Sequence, residues 1–380
     1  MNHQQLKQDL IEYSKTIGID KIGFTTSDPF LELKNRLIEQ QKRNYASGFE
    51  EPNLDKRTDP KRLMPEARSI IAIAVAYPSR LHNAPKSRKG QRRGIFSRSS
   101  WGLDYHHVVK DRLKKVEAFI QERVPDALLK SMVDTGELAD RAVAERAGIG
   151  WSGKNCSVLD PEYGSYMYLG EIITNIPFLP DAPMEDLCGT CTKCLDACPT
   201  GALVAGGQIN AKRCISFLTQ TKELIPAEFR DKVGNRLYGC DSCQTSCPYN
   251  KRVDFHLHQE LEADPEIAKP ELLSLLSLSN RAFKEQYGSL SGAWRGKMPI
   301  QRNAILALAH FKDPEHIGPL AELLKKDARP VIRGTAAWAL GKIGGIEAAV
   351  ILKECLAMEQ EELVRTEIES AIAKLEKLGE

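Results

Sequence analysis

The sequence predicts three architectures in series: an α/β layered domain over residues 1–175, a ferredoxin-like domain for two iron-sulfur clusters over 176–256, and an all-α HEAT-like region over 257–380. Three observations predict them. Helix-like and strand-like hydrophobic periods alternate in the first stretch. Seven of the ten cysteines fall into two ferredoxin-like runs in the second. The third repeats itself at an offset of 32 residues. A chain of 380 residues is also long for a single core.

In the first domain an amphipathic helix over Leu6–Thr16 leads into the strand Lys21–Phe24, and the apolar run from Ser69 to Tyr77 reads as a buried strand. Helical spacing returns over His107–Arg123 and over Leu138–Ala147, which closes at Gly148. Helices layered on a sheet bury both patterns at once.

The second domain is rich in turns and lacks a long apolar pattern, so metal ligation is expected to supply its order. Its first run is Cys188-x2-Cys191-x2-Cys194-x3-Cys198-Pro199, the spacing of a 4Fe-4S site. Its second is Cys240-x2-Cys243-x3-Cys247-Pro248, with Leu237 where a leading cysteine belongs and Cys214 isolated upstream. Counting Cys214 gives eight thiolates, enough for two clusters. A tight turn presents its leading thiolates to one cubane, and the cysteine before proline reaches the other. Cys188, Cys191, Cys194 and Cys247 are therefore assigned to one cluster, and Cys198, Cys214, Cys240 and Cys243 to its neighbour. Zinc sites also use CxxC pairs but lack the longer run. Cys156 and Cys355 are left over and read as small buried hydrophobes.

In the third region Ala304, Ala336 and Ile368 align, as do Ala307, Ala339 and Ala371, and Leu308, Leu340 and Ile372. Leu320 aligns with Leu352 and Leu324 with Leu356. Stacked helix pairs bury such positions along one continuous core.

Charge is nearly balanced, with 53 Lys+Arg against 51 Asp+Glu, so no polyanion partner is announced by the sum. Its distribution is uneven. Lys86, Arg88, Lys89, Arg92, Arg93 and Arg98 have no acid among them, and Arg281, Lys284, Arg295, Lys297 and Arg302 are opposed only by Glu285. Two such stretches are consistent with a phosphate-binding surface. No apolar run reaches membrane-spanning length, and the polar start MNHQQLKQDL is no signal peptide, which with reduced thiolates predicts a cytoplasmic protein.

Clusters move single electrons and do not dictate a substrate, so the reacting centre is expected in the first domain. Asp134, in Ser131-Met-Val-Asp-Thr-Gly136, stands at the end of a short apolar stretch. Partial desolvation there is expected to raise its pKa and keep a proton available, although an Asp before Thr-Gly also serves as a turn residue. Tyr105 and His106 offer a phenol and an imidazole. There is no Walker loop, no GxGxxG after a strand and no CxxxCxxC triplet, so nucleotide-driven and radical-SAM chemistry lack support.

Several blocks together resemble the epoxyqueuosine reductases, cobalamin and iron-sulfur enzymes that complete queuosine in the tRNA anticodon. The blocks are Asn53-Leu-Asp-Lys-Arg57, Ser97-Arg-Ser-Ser-Trp-Gly-Leu-Asp-Tyr-His106, Val133-Asp-Thr-Gly136, Ala144-Glu-Arg-Ala-Gly-Ile-Gly-Trp-Ser-Gly-Lys-Asn155, Cys214-Ile-Ser-Phe-Leu-Thr219 and Tyr238-Gly-Cys-Asp-Ser-Cys-Gln-Thr-Ser-Cys-Pro-Tyr-Asn250. Ser99 and Ser100 depart from the family's usual tyrosine-bearing wording, and the C-terminal repeats match its longer form.

The resemblance implies reductive loss of an epoxide oxygen, with Asp134 as proton donor and Tyr105 as a hydrogen-bond partner. It implies cobalamin contacts at Arg57, Ser97, Asp134, Val158, Leu169, Ser216 and Asp241. It also implies a tRNA partner, for which Lys222, Arg281, Lys284, Arg295, Lys297 and Arg302 are suitably cationic. A low-potential donor of ferredoxin or flavodoxin type and a monomer working away from membranes complete the expectation. The competing reading is a cobalamin and iron-sulfur reductase of a small organic molecule, similar to reductive dehalogenases.

Overall fold

The computed structural model describes residues 2–379, and the chain packs as two compact units. Unit one comprises Met1–Arg80, Gly102–Cys214 and Asp241–Glu262; unit two comprises Leu81–Trp101, Ile215–Cys240 and Ala263–Glu380. Both units draw on the cysteine-rich stretch, so packing follows a different division from the three sequence segments.

Unit one is built on an antiparallel sheet of β1 (Lys21–Thr26), β2 (Ser69–Ala76), β3 (Leu129–Met132) and β4 (Met167–Thr174), in the order β1-β2-β4-β3. Every residue of β2 is buried, which accounts for its unbroken apolar run. Ile71, Ile73 and Val75 enter one core while Ala72, Ala74 and Ala76 enter another, as side chains alternate across the pleat. The first core takes Leu6 and Leu10 of α1 (His3–Thr16) and Val109, Leu113, Val116 and Ile120 of α2 (Tyr105–Arg123). The second takes Val143 and Ala144 of α3 (Asp140–Arg146). Burying each large aliphatic side chain contributes about 1.5–3 kcal/mol.

Strands β3 and β4 carry no clear sequence signal, because Lys130 and Ser131 interrupt one and Gly170 and Glu171 the other. Gly170 has a packing reason. A Cβ there would lie 2.7 Å from Val109 Cγ1, so only glycine lets α2 approach β4 this closely. With α2 seated on β4, Tyr105 at its N-terminus stacks on Tyr168, with centroids 4.5 Å apart and planes 6° apart.

Unit two ends in paired helices: α4 (Lys297–Phe311), α5 (Ile317–Lys326), α6 (Pro330–Ile343), α7 (Ile346–Met358) and α8 (Glu362–Gly379). The aligned residues Ala304, Ala336 and Ile368 are fully buried, as are Leu320 and Leu352, so the repeat register is the core register. A Cβ on Gly341 would meet Ala371 Cβ at 2.6 Å, marking the tight contact of α6 with α8. No helix among the described residues is long and apolar enough to cross a membrane.

Part of the first basic stretch is tied into this unit, while Lys86, Arg88 and Lys89 stay exposed. Arg92 pairs with Asp313 at 2.5 Å and lies 4.7 Å from the Phe311 ring centroid, Arg93 pairs with Glu266 at 2.6 Å, and Lys89 sits 3.8 Å from Glu315. The expectation of a phosphate-binding surface there is corrected for Arg92 and Arg93, which fasten the segment to acids distant in sequence.

Candidate active site and cluster ligands

Beyond β3 the chain turns at Asp134, whose φ of 47° lies in the left-handed region. That conformation costs a non-glycine residue about 1–2 kcal/mol, so something must hold it. The Asp134 N–H donates to Asp140 Oδ2 at 2.6 Å, tying the turn to the first residue of α3.

The Asp134 carboxylate meets two groups from the start of α2. The Tyr105 hydroxyl donates to Oδ2 at 2.8 Å, and His106 Nε2 stands 3.5 Å from the same oxygen, long for a hydrogen bond but within ion-pair range. Asp104 orients the imidazole. Its Oδ1 lies 2.7 Å from His106 Nδ1 and also accepts the His106 backbone N–H at 3.0 Å as the α2 N-cap. One residue thereby starts the helix and aims the ring.

Charge follows from this arrangement. Burial opposes the His106 cation, yet the hydrogen bonds and charges of Asp104 and Asp134 prevail and push it up to about 9. His106, then burial acting in the opposite sense, then Tyr105 set the Asp134 carboxyl, with the net result below the usual carboxylate range. The Asp134 side chain is 62% exposed, so solvent screens part of that shift. The expectation of a raised Asp134 pKa is therefore corrected: a cation and a donor outweigh desolvation, and the neutral-pH proton rests on His106.

Among the implied cobalamin contacts, Arg57, Asp134, Val158, Leu169 and Asp241 belong to unit one, and Ser97 and Ser216 to unit two. The Arg57 Nε is buried without a partner, and burial pulls its guanidinium pKa down. Val158 and Leu169 pack on the α3-side core. The orphaned Arg57 N–H is a donor of the kind that an amide-bearing ring takes. Ser97 is buried, with its Oγ 3.3 Å from Ser99 Oγ, and the Ser216 carbonyl accepts from Thr219 Oγ1 and Gln220 Nε2. Asp241 precedes a short helix, and its carbonyl accepts the Thr245 N–H at 2.8 Å.

The first ligand set is brought together in unit one. Burial, against opposing backbone hydrogen bonds and with the neighbouring thiols Cys247 and Cys188 adding to it, pushes the Cys194 thiol up, and Cys247 is raised in the same way with Cys188 and Cys191 as neighbours. Four thiols acting on one another is a condition that bound iron relieves, since coordination takes them as thiolates. Trp151 and Leu159 pack around Cys247, with Cys188 and Tyr249 at the edge. Cys198 accepts the Ala202 N–H at 3.2 Å, and its pKa lies below the ordinary thiol value because backbone N–H groups outweigh burial. Cys198, Cys214 and Cys243 belong to unit one and Cys240 closes a stretch of unit two. Of the leftover cysteines, Cys355 is buried as expected, whereas Cys156 is only half-buried in a left-handed turn with φ of 64°.

The second basic stretch presents Arg281, 89% exposed and paired with Glu285, beside exposed Lys284 on the same short helix. Lys222 is exposed, Arg295 lies 4.9 Å from the Trp294 ring centroid, and Lys297 donates to the Leu278 carbonyl at 2.7 Å. Trp294, 54% exposed with its Nε1 donating to Gln220, is a surface aromatic that charge counting missed. Arg302 is a correction. It is fully buried in α4, and its guanidinium donates to the carbonyls of Leu218, Thr221 and Glu223 and to Asn303 Oδ1, leaving no donor for a phosphate.

Comparison with known proteins adds three family matches: a model described as epoxyqueuosine reductase QueG over residues 57–135, a 4Fe-4S double cluster binding domain over 187–250, and HEAT repeats over 298–373. The epoxyqueuosine reductase of Bacillus subtilis (strain 168) is 64% identical over 379 residues, which covers 100% of this chain and 98% of that one. A crystal structure of epoxyqueuosine reductase with a tRNA-Tyr epoxyqueuosine-modified stem loop superposes with a TM-score of 0.97 at 64% identity, covering 99% of this chain and 100% of that one. A structure of the Bacillus subtilis enzyme with its Asp134 catalytic loop swung out of the active site has a TM-score of 0.96 at 63% identity, covering 98% and 100%.

Proposed function

The chain belongs to the epoxyqueuosine reductase family, and from that premise we propose how its own residues serve the reduction of epoxyqueuosine to queuosine at the tRNA anticodon wobble position. Loss of the epoxide oxygen as water consumes two electrons and two protons. Arg57, Ser97, Asp134, Val158, Leu169, Ser216 and Asp241 would hold a corrinoid and the eight cysteines assigned above two 4Fe-4S clusters, and these groups would supply the electrons.

The proton chemistry belongs to Asp134, Tyr105 and His106. His106 holds a proton toward Asp134 Oδ2, Asp134 presents it to the epoxide oxygen, and the Tyr105 hydroxyl fixes the carboxylate through its 2.8 Å hydrogen bond. The single observation that carries this reading is the convergence of both α2 groups on one oxygen of an exposed carboxylate. The related enzyme with an Asp134 catalytic loop supports it.

Phosphates of the tRNA stem are contacted by the exposed Lys222, Arg281 and Lys284 and by the half-buried Arg295 and Lys297, whereas Arg302 is buried. The protein works as a cytoplasmic monomer with a ferredoxin- or flavodoxin-type donor. The small-molecule reductase reading gives way, because a relative 64% identical along nearly its whole length is an epoxyqueuosine reductase.

The test is Asp134→Asn in the holoenzyme. Loss of the ionisable oxygen is expected to lower turnover of the modified stem loop by about 10²–10⁴-fold with cluster and corrinoid content unchanged. Turnover near wild type removes Asp134 from the proton path.

A further inference from the structure

Glu171 sits in the middle strand β4, opposite Ala72 of β2 and Met132 of β3, and is 1% exposed. Its carboxyl interacts with that of Asp140, at the start of the α3 helix that packs against β4, and its Oε1 meets no donor. An acid in the centre of a sheet is costly to bury, and nothing in the proton path described above uses it. The ionisable groups acting on Glu171 are themselves acids, Asp140 and Asp134. Lys130 of β3 lies 3.5 Å from Glu137 and Arg146 of α3 donates to Thr25, Thr26 and Asp28, while Arg57 and Arg141 act on Asp140 and not on Glu171. Glu145 of the same helix accepts from Ser152.

A fully buried carboxyl and a half-buried one acting on each other are not both ionised, so the pair holds one proton. Glu171 is the member that keeps it, because Asp140 is the one that receives the Asp134 N–H at 2.6 Å and feels Arg141.

We propose that Glu171 and Asp140 form a one-proton carboxyl pair that positions Asp134: Glu171 donates its O–H to Asp140, and anionic Asp140 accepts the Asp134 N–H and holds the loop in its left-handed turn. An ionised acceptor makes a stronger bond to that N–H than a neutral acid. Burial, with the Asp134 charge adding to it, raises Asp140 to about 6, so a second proton enters the pair as pH falls through that value and the hold on the turn weakens. The pair is a positioning device for the role given to Asp134 above and rests on that reading for its effect on turnover.

The test uses holoenzyme variants and the epoxyqueuosine-modified stem loop. Glu171→Ala and Asp140→Ala are expected to lower kcat by about 10–100-fold through misplacement of the acid, with KM within about threefold of wild type and cluster content unchanged. Glu171→Gln keeps a donor toward Asp140 and restores kcat to within about threefold. Wild-type kcat falls as pH drops through about 6, and Asp140→Asn lacks that acid limb. Independently of turnover, infrared spectroscopy at neutral pH shows a protonated carboxylic-acid band that disappears in Glu171→Gln. If Glu171→Ala fails to fold, the band and the Asp140→Asn profile still decide. No band sensitive to Glu171→Gln, or an unchanged acid limb in Asp140→Asn, overturns the proposal. An active Asp134→Asn enzyme overturns the role of Asp134 instead and leaves the band in place.

Discussion

The Tyr105 hydroxyl donates a 2.8 Å hydrogen bond to Asp134 Oδ2 while its ring stacks on Tyr168 of β4, so the sheet itself sets where the carboxylate points. Tyr105→Phe retains the stack and removes the donor. Turnover is expected to fall by about tenfold, with unchanged cluster content and a stability cost from the missing bond of about 0.5–1.5 kcal/mol at most. Steady-state kinetics on the modified stem loop checks this, and unaltered kcat contradicts it.

His106 gives the alkaline side of the pH profile. Its pKa is raised from 6.5 to about 9 by Asp104 and Asp134 against burial, so its ion pairs stabilise the fold fully below about 6.5 and are lost as pH rises through about 9. The proton it holds is lost over the same range. kcat is expected to decline above about pH 9, and His106→Gln, which cannot ionise, is expected to be slow at all pH values without that limb. A wild-type profile flat to well beyond this pH is the contrary result.

Charge alone groups Arg302 with the surface cations, and the fold separates them. Charge removal at Arg281 and Lys284 is expected to reduce the salt dependence of stem-loop binding by about one unit of log-log slope for each phosphate that is no longer neutralised. Arg302→Leu leaves three carbonyls without their donor and is expected to cost about 3 kcal/mol or more of stability, read as a lower melting temperature. Equal salt slopes for wild type and the surface variant contradict the proposed phosphate-binding surface.

What the sequence made legible was whatever a local spacing determines. The cysteine runs fall within the matched 4Fe-4S double cluster domain, and the 32-residue offset puts Ala304 and Ala336 at equivalent core positions. Polar residues inside the sheet were illegible, since Glu171 breaks the apolar pattern of β4 by being buried beside another acid. The charge state of Asp134 escapes a reading of its own segment because His106 reaches it only once α2 seats against β4 through Gly170. Arg302 misleads for a similar reason: its carbonyl partners at Leu218, Thr221 and Glu223 lie far away in sequence.

The most direct measurement is the mass of the modified base after the reduced holoenzyme has been incubated with a stem loop carrying epoxyqueuosine. A product lighter by one oxygen, formed by wild type and nearly absent with Asp134→Asn, is the predicted result. An unchanged mass with both clusters and corrinoid bound, or equal conversion by the two enzymes, contradicts the account.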